Sequence, residues 1–212
     1  MSEIITRLKK IVDIDSPVVL EIGACEGKDS RKFLDIFDHI RLWCFEPDPK
    51  NCEDHRRLVS PSDPRCILEE CAVGDRDGEV TFHRSGGRDR RASGSLRNPK
   101  EHLQMHPWCT FNEDITIPGL RLDTWYEINS EQFDFDIIDL IWADVNGAET
   151  SMIAGAQKAL DKTRYLYTEF GPDGHEVYQG GVTKEQIKQL LPDFEEMFVH
   201  SNNVLLRNKV LT

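Results

Sequence analysis

Four short and almost continuous apolar runs constrain the fold of this 212-residue chain more than any other feature. They cover residues 17–22, 40–46, 137–143 and 165–170. Apolar runs of this length, without an alternation of apolar and polar residues, are typical of strands that are covered on both faces, as in a parallel sheet. The chain is therefore expected to contain a largely parallel sheet with helices packed on both sides.

Helical patterns occupy the stretches between these runs. Asp48 and Pro49 predict the start of one helix, because the aspartate side chain caps free backbone amides and proline fits the first helical position. Thr183 and Gln186 have the spacing of a capping box. Further helical patterns cover residues 29–37 and 150–160. Strands and helices that alternate in this way predict an α/β fold, Rossmann-like and doubly wound.

Other segments depart from this alternation. Residues 78–84 alternate as a half-exposed strand does, and residues 115–117 are expected to pair with them as an inserted hairpin. Residues 85–110 are polar and irregular, which predicts a lid-like loop. Residues 194–200 and 204–207 are expected to form a terminal hairpin around Asn202 and Asn203. We expect an amphipathic helix in residues 1–16 and one domain over residues 17–212.

Composition excludes several classes of protein. The formal net charge is −12, which disfavours a surface that wraps nucleic acid. No apolar run has the length of a membrane span, and the first residues lack the apolar core of a signal peptide, so a cytoplasmic protein is expected. The six cysteines form no C-x-x-C pair, so we expect reduced thiols in the core and neither a disulfide scaffold nor a zinc site.

Candidate site residues follow the predicted strands. In open parallel sheets, ligands bind outside the carboxyl ends of the strands. Gly23 and Gly27 follow the first strand, four residues apart, which differs from the spacing of a dinucleotide-binding loop and suits an adenosine cofactor that carries an amino acid. Glu46 ends the second strand, where a carboxylate can accept hydrogen bonds from ribose hydroxyls.

These motifs together resemble those of class I S-adenosylmethionine-dependent methyltransferases, and among them the FkbM-type O-methyltransferases. The segments that carry the resemblance are VVLEIGACEG (18–27), WCFEPDPKN (43–51), CAVGDRDGEVTF (71–82), SGSL (93–96), IPGLRLDTW (117–125) and DLIWADVNGAETSMIAGAQKAL (139–160). The resemblance implies a seven-stranded sheet, mostly parallel, whose last strand is antiparallel. It also implies S-adenosylmethionine as the cofactor and a hydroxyl of a small molecule, sugar or glycan as the acceptor.

The resemblance assigns cofactor-binding roles residue by residue. The residues so assigned are Glu21, Gly23, Ala24, Gly27, Glu46, Pro47, Ala72, Val73, Ser95 and Asp144. This chain has Asn146 where the family usually has glutamate, and Ser93-Gly94-Ser95 where it usually has two adjacent serines. Both departures concern acceptor preference and a metal role more than cofactor binding.

Removal of the hydroxyl proton requires a base. Asp144 is the first candidate for the catalytic base and Glu169 the second, because both leave strand ends. His175 is a further candidate near the acceptor. Glu149, one turn into the next helix, is expected to support the loop. A divalent ion held by Asp144 and Glu169 is an alternative that the sequence does not favour, because it shows no dense carboxylate cluster.

The predicted loop is rich in arginine. Arg90 and Arg91 are candidates to bind a phosphate or carboxylate of the acceptor, with Arg84, Arg88 and Arg97 nearby. Trp108, with His102 and His106, offers a stacking surface for a sugar or a base. Three other functions stay open: a nucleic-acid methyltransferase, a non-catalytic cofactor-binding scaffold and, least favoured, a dinucleotide oxidoreductase.

Overall fold

The computed structural model describes residues 2–88 and 91–211, without the side chains of residues 2 and 3. The helices are α1 (Ser2–Val12), α2 (Lys28–Ile36), α3 (Pro49–Leu58), α4 (His102–Met105), α5 (Leu122–Gln132), α6 (Glu149–Ala154), α7 (Gln157–Asp161) and α8 (Lys184–Leu190). The strands are β1 (Val18–Ile22), β2 (Arg41–Phe45), β3 (Cys66–Glu69), β4 (Ala72–Val73), β5 (Gly78–Gly87), β6 (Cys109–Leu120), β7 (Ile138–Ala143), β8 (Thr163–Glu169), β9 (Phe194–His200) and β10 (Asn203–Asn208).

Seven strands form one sheet in the order β3-β2-β1-β7-β8-β10-β9. The pairs from β3 to β8 are parallel, whereas β10 is antiparallel to both β8 and β9. The structure confirms the Rossmann-like doubly wound sheet with an antiparallel last strand. The strand order reverses between β1 and β7, and in such sheets this is the point where ligands bind.

Alternate residues of the central strands enter two separate cores. Leu20 and Ile22 of β1 face a core that includes Trp125 of α5, and Val19 faces a core that includes Phe33 of α2. This explains why the strand sequences are apolar throughout. Glu21 lies among these residues with only 1% of its surface exposed, so it needs polar partners.

The molecule also contains a smaller, three-stranded sheet. It has the order β4-β6-β5, and β5 is antiparallel to β6, with Val80 opposite Ile117. The inserted hairpin is therefore confirmed. The predicted loop is shorter than residues 85–110, because β5 extends to Gly87 and β6 begins at Cys109, and it contains α4.

The single helix predicted for residues 150–160 is wrong, because α6 ends before Gly155 and α7 begins after it. A Cβ atom at Gly155 would lie 1.8 Å from the backbone oxygen of Gly74, so the chain passes too close there for any side chain. The buried carboxylate of Asp123, in α5, then accepts hydrogen bonds from the amides of Lys158 (2.8 Å) and Ala159 (3.1 Å). Asp123 thus caps α7 from another helix.

Across residues 2–88 and 91–211, no helix combines the length and apolar character that crossing a membrane requires.

We predict that Asp123→Ala lowers the free energy of unfolding by about 2 kcal/mol, because it leaves buried amides of α7 without acceptors. The measurement is urea denaturation. Asp161→Ala removes an exposed carboxylate from the other end of α7 and is the matched control, with an expected loss below about 0.5 kcal/mol. Equal losses in the two variants would contradict the capping role of Asp123.

Candidate functional site

A cavity of about 320 Å³ opens at the carboxyl ends of β1, β2 and β7. Its volume lies at the lower end of the range of about 300–1,000 Å³ that is usual for small-molecule sites. Most of the residues predicted to bind the cofactor are on its wall: Glu21, Gly23, Ala24, Glu46, Pro47, Ala72, Val73, Ser95 and Asp144. Gly27 is not on the wall.

The two glycines that follow β1 have different structural roles. Gly23 has a positive φ of 86°, and a Cβ atom there would lie 1.9 Å from the backbone oxygen of Asp144. Only glycine therefore allows the ends of β1 and β7 to approach so closely. Gly27 has a φ of 82°, and a Cβ atom there would lie 2.7 Å from the ring of His55. Gly27 makes room for a histidine of α3.

Glu46 lies at the end of β2 with 3% of its surface exposed. One carboxylate oxygen accepts hydrogen bonds from the amide of Asp48 (2.9 Å) and the side chain of Asn51 (3.1 Å), and the other from the amide of Cys25 (2.7 Å). Burial raises its pKa to about 7, against the effect of these donors. The carboxylate is held in one orientation, and its second oxygen keeps a lone pair for a further donor.

Glu21 belongs to a buried polar network below the glycine loop. Its carboxylate accepts a hydrogen bond from the hydroxyl of Ser30 at 2.5 Å, and that hydroxyl lies 3.0 Å from Nε2 of His55. Burial raises the pKa of Glu21 to about 8 and lowers the pKa of His55 to about 4. Sequence patterns gave no sign of Ser30 or His55, because their partners lie 9 and 25 residues away in the chain.

The carboxyl groups of Asp144, Glu149 and Glu169 lie close enough to affect one another's ionisation. Burial, and then the charges of Asp144 and Glu149, raise the pKa of Glu169 to about 9. Desolvation by the surrounding protein raises the pKa of Asp144, an exposed residue of the cavity wall, and burial brings the pKa of Glu149 to about 7. Asp144 lines the cavity, whereas Glu169 and Glu149 are not on its wall. Like charges this close cannot all be ionised, so Asp144 and Glu169 act as a pair that retains a proton at neutral pH.

Glu149 supports the loop before α6, as expected, since its carboxylate accepts a hydrogen bond from the amide of Gly147 (3.2 Å).

Residues 91–97, which we call the roof loop, are held over the cavity by Asn146. The side-chain amide of Asn146 donates to the backbone oxygens of Ala92 (3.1 Å) and Gly94 (3.2 Å). Its backbone oxygen accepts a hydrogen bond from the hydroxyl of Ser95 at 2.7 Å. A glutamate in this position could not donate to those carbonyls. The asparagine that stands in place of the family's usual glutamate therefore makes these two hydrogen bonds to the roof loop possible.

The arginines near the roof loop are engaged within the chain. Arg84 pairs with Asp48 (2.8 Å) and Glu113 (2.8 Å). Arg91 lies on the cavity wall, where its guanidinium donates to Asn51 (3.0 Å) and Asp54 (2.5 Å) of α3.

Arg97 donates to the hydroxyl of Ser151 (2.6 Å). Arg88 is exposed. Arg90 lies outside the described residues.

The other predicted acceptor residues lie away from the cavity wall. Trp108 is 50% exposed, and its ring packs edge-on against His106 at 5.2 Å. His106 in turn contacts His102, and His102 contacts Tyr178, whose hydroxyl donates to the backbone oxygen of Ser93 in the roof loop. A series of contacting aromatic rings thus connects the roof loop to Trp108.

His175 is exposed and lies 2.8 Å from Glu101.

Comparisons with known proteins agree with this geometry. The methyltransferase FkbM domain family matches residues 21–200 of the chain. The chain is 39% identical over 213 residues to the 2-O-methyltransferase NoeI of Sinorhizobium fredii (strain NBRC 101917 / NGR234), and the match covers 97% of this chain and 85% of NoeI.

Similar solved structures include a putative caffeoyl-CoA O-methyltransferase from Staphylococcus aureus, with a TM-score of 0.54, 12% identity, and coverage of 98% of this chain and 82% of that one. Another is an O-methyltransferase from Bacillus cereus in complex with SAH, with a TM-score of 0.53, 12% identity, and coverage of 97% and 78%. At these identities the two structures establish a common fold.

We predict that Asn146→Asp loosens the roof loop, because a carboxylate repels the two carbonyl oxygens that the amide now binds. Hydrogen exchange at the amides of Ser93, Ser95 and Arg97 should become at least about tenfold faster. Asn98→Asp, the same change at an exposed position, is the control and should leave exchange at these amides unchanged. Unchanged exchange in Asn146→Asp would contradict the role assigned to the side-chain amide.

Proposed function

The chain belongs to the methyltransferase FkbM family and is an S-adenosylmethionine-dependent O-methyltransferase, and we propose that it methylates a hydroxyl of a sugar from a donor bound in the cavity. The observation that carries the proposal is Glu46, a buried carboxylate fixed at the end of β2 on the cavity wall. This is where a ribose-binding acid is expected in a sheet of this order.

The other walls of the cavity fit the remaining parts of the donor. Val73, Phe82 and Leu96 give an apolar surface for the adenine ring, and Gly23 and Ala24 leave backbone exposed beside the methionine part. The carboxyl groups around the cavity have raised pKa values because burial disfavours their charged forms. A ligand with a net positive charge offsets that penalty, and S-adenosylmethionine carries both a sulfonium and an ammonium group.

Bound S-adenosylmethionine supplies a methyl group that is already activated, so the chain has to orient the acceptor and take up its proton. We assign the proton to the Asp144–Glu169 pair, with Asp144 on the cavity wall as the catalytic base. Glu169 shares the negative charge and raises the basicity of the pair.

We infer that the acceptor is a sugar hydroxyl. NoeI is a 2-O-methyltransferase, which favours a hydroxyl at the 2-position. Trp108 and His106 offer rings on which a sugar can stack, and His175 extends the same side of the molecule. We propose that Arg91, on the cavity wall, contacts the acceptor. Arg90 lies outside the described residues and stays a candidate for the same role.

The other functions fit these observations less well. Arg84, Arg91 and Arg97 all bind groups of the chain itself, which leaves a weaker basic surface for nucleic acid than the sequence suggested. Asn146 suggested a non-catalytic scaffold as an alternative. Its side-chain amide, however, holds the roof loop. The two residues proposed to take up the proton, Asp144 and Glu169, are both present.

The proposed reaction is tested by transfer of a labelled methyl group from S-adenosylmethionine to a panel of sugars, nucleic acids and phenols. We predict incorporation into sugars, at a hydroxyl that mass spectrometry of the product identifies. Labelling of nucleic acid alone, or of none of the acceptors, would contradict the proposal.

We predict that Asp144→Asn lowers kcat by about 10²–10⁴-fold, the usual contribution of a general base. Glu169→Gln should lower kcat less and should abolish a rise of kcat/KM toward pH 9, because the pair of the unchanged enzyme gives up its retained proton there. Glu131→Gln, an exposed glutamate of α5, is the control. An unchanged kcat in Asp144→Asn, with donor binding intact, would exclude Asp144 as the base.

A further inference from the structure

Two cysteines and a histidine meet beside the cavity, in a cluster that the methyl-transfer reaction does not use. Cys44, His55 and Cys66 are evenly spaced along the chain, and their sulfur and Nε2 or Nδ1 atoms lie within 4.8 Å of one another. The sulfur atoms of Cys44 and Cys66 are 3.6 Å apart. Cys44 is fully buried and His55 is 2% exposed.

The sulfur–sulfur distance of 3.6 Å is close to the one expected in a tetrahedral zinc site. With Zn–S bonds of about 2.3 Å and Zn–N or Zn–O bonds of about 2.0–2.1 Å, a tetrahedron places two sulfur atoms about 3.8 Å apart and a sulfur about 3.5 Å from a nitrogen or oxygen. Oε2 of Glu21 lies 3.4 Å from the sulfur of Cys44 and accepts a hydrogen bond from the hydroxyl of Ser30. The hydroxyl of Ser30 lies at the same distance from that sulfur and 3.0 Å from Nε2 of His55.

We propose that Cys44, His55 and Cys66 bind zinc. Thiolates with an imidazole are the ligands that select zinc over magnesium or calcium. The two thiols release their protons to solvent as the ion binds, so the ion and its ligands change no oxidation state.

The three ligands lie on three consecutive elements. Cys44 is in β2, His55 in α3 and Cys66 at the start of β3, and β2 pairs directly with β3. A bound ion therefore fixes α3 against the two strands that flank it.

The same helix carries Asn51, which holds the carboxylate of Glu46. The zinc site thus secures the part of the cavity that is proposed to bind ribose. Sequence spacing did not reveal it, because no two ligands are close neighbours in the chain.

The test measures metal content and metal uptake of the purified reduced chain. We expect about one zinc per chain by elemental analysis. After removal of zinc with a chelator, added Co²⁺ should give the thiolate charge-transfer band and the strong visible bands of tetrahedral cobalt. The thermal midpoint of unfolding should fall on chelation and recover with zinc.

Variants separate this site from adventitious binding. Cys44→Ser and Cys66→Ser should lose the zinc and the cobalt bands, and chelation should not shift their midpoints. Cys109→Ala changes a buried cysteine of β6 and should behave as the unchanged chain does. These readouts need no methyl acceptor, so they stand even if the proposed reaction fails. Failure of the reduced chain to take up zinc or cobalt, or equal uptake by Cys66→Ser, would overturn the proposal.

Discussion

The close approach of two strand ends determines the rest of the site. Gly23 packs directly against the backbone oxygen of Asp144, where a side chain would collide. This contact brings the loop after β1 and the loop after β7 together at the point where the strand order reverses. The cavity and the proposed base therefore share one wall. Neither loop could take this path if residue 23 carried a Cβ atom.

The second feature of the molecule is the burial of several carboxyl groups around one cavity. Glu21, Glu46 and Glu149 are each less than 4% exposed, and burial raises the pKa of each. Such groups destabilise the folded chain unless donors or a cation compensate. Glu46 has three donors from the chain, and Glu169 accepts a hydrogen bond from the side chain of Asn202. The arrangement suits a cationic ligand and a base of raised strength.

Local patterns in the sequence predicted the elements that depend on local physics. The apolar runs gave the four central strands, Asp48 and Pro49 gave the start of α3, and Thr183 gave the capping box of α8. These features depend on residues within a few positions of one another. The number of strands and the antiparallel last strand came from the family resemblance, and the structure confirms both.

Features that depend on distant partners were missed. Helix α5 has no clear apolar stripe in its sequence, and the break before α7 depends on Gly74, which lies in another part of the chain. The contacts of Arg91 with Asn51 and Asp54 of α3 had no signal in the sequence, because these residues lie about 40 positions away. The cysteines gave no metal pattern because Cys44 and Cys66 become neighbours only when β2 pairs with β3.

The central claim is that this cavity binds S-adenosylmethionine through Glu46. Isothermal titration of the unchanged chain and of Glu46→Gln with that compound tests it most directly. The account predicts saturable binding at one site and an affinity at least about tenfold weaker in Glu46→Gln, since a charge-assisted hydrogen bond is lost. No saturable binding by the unchanged chain, or equal affinity in the two proteins, would contradict it.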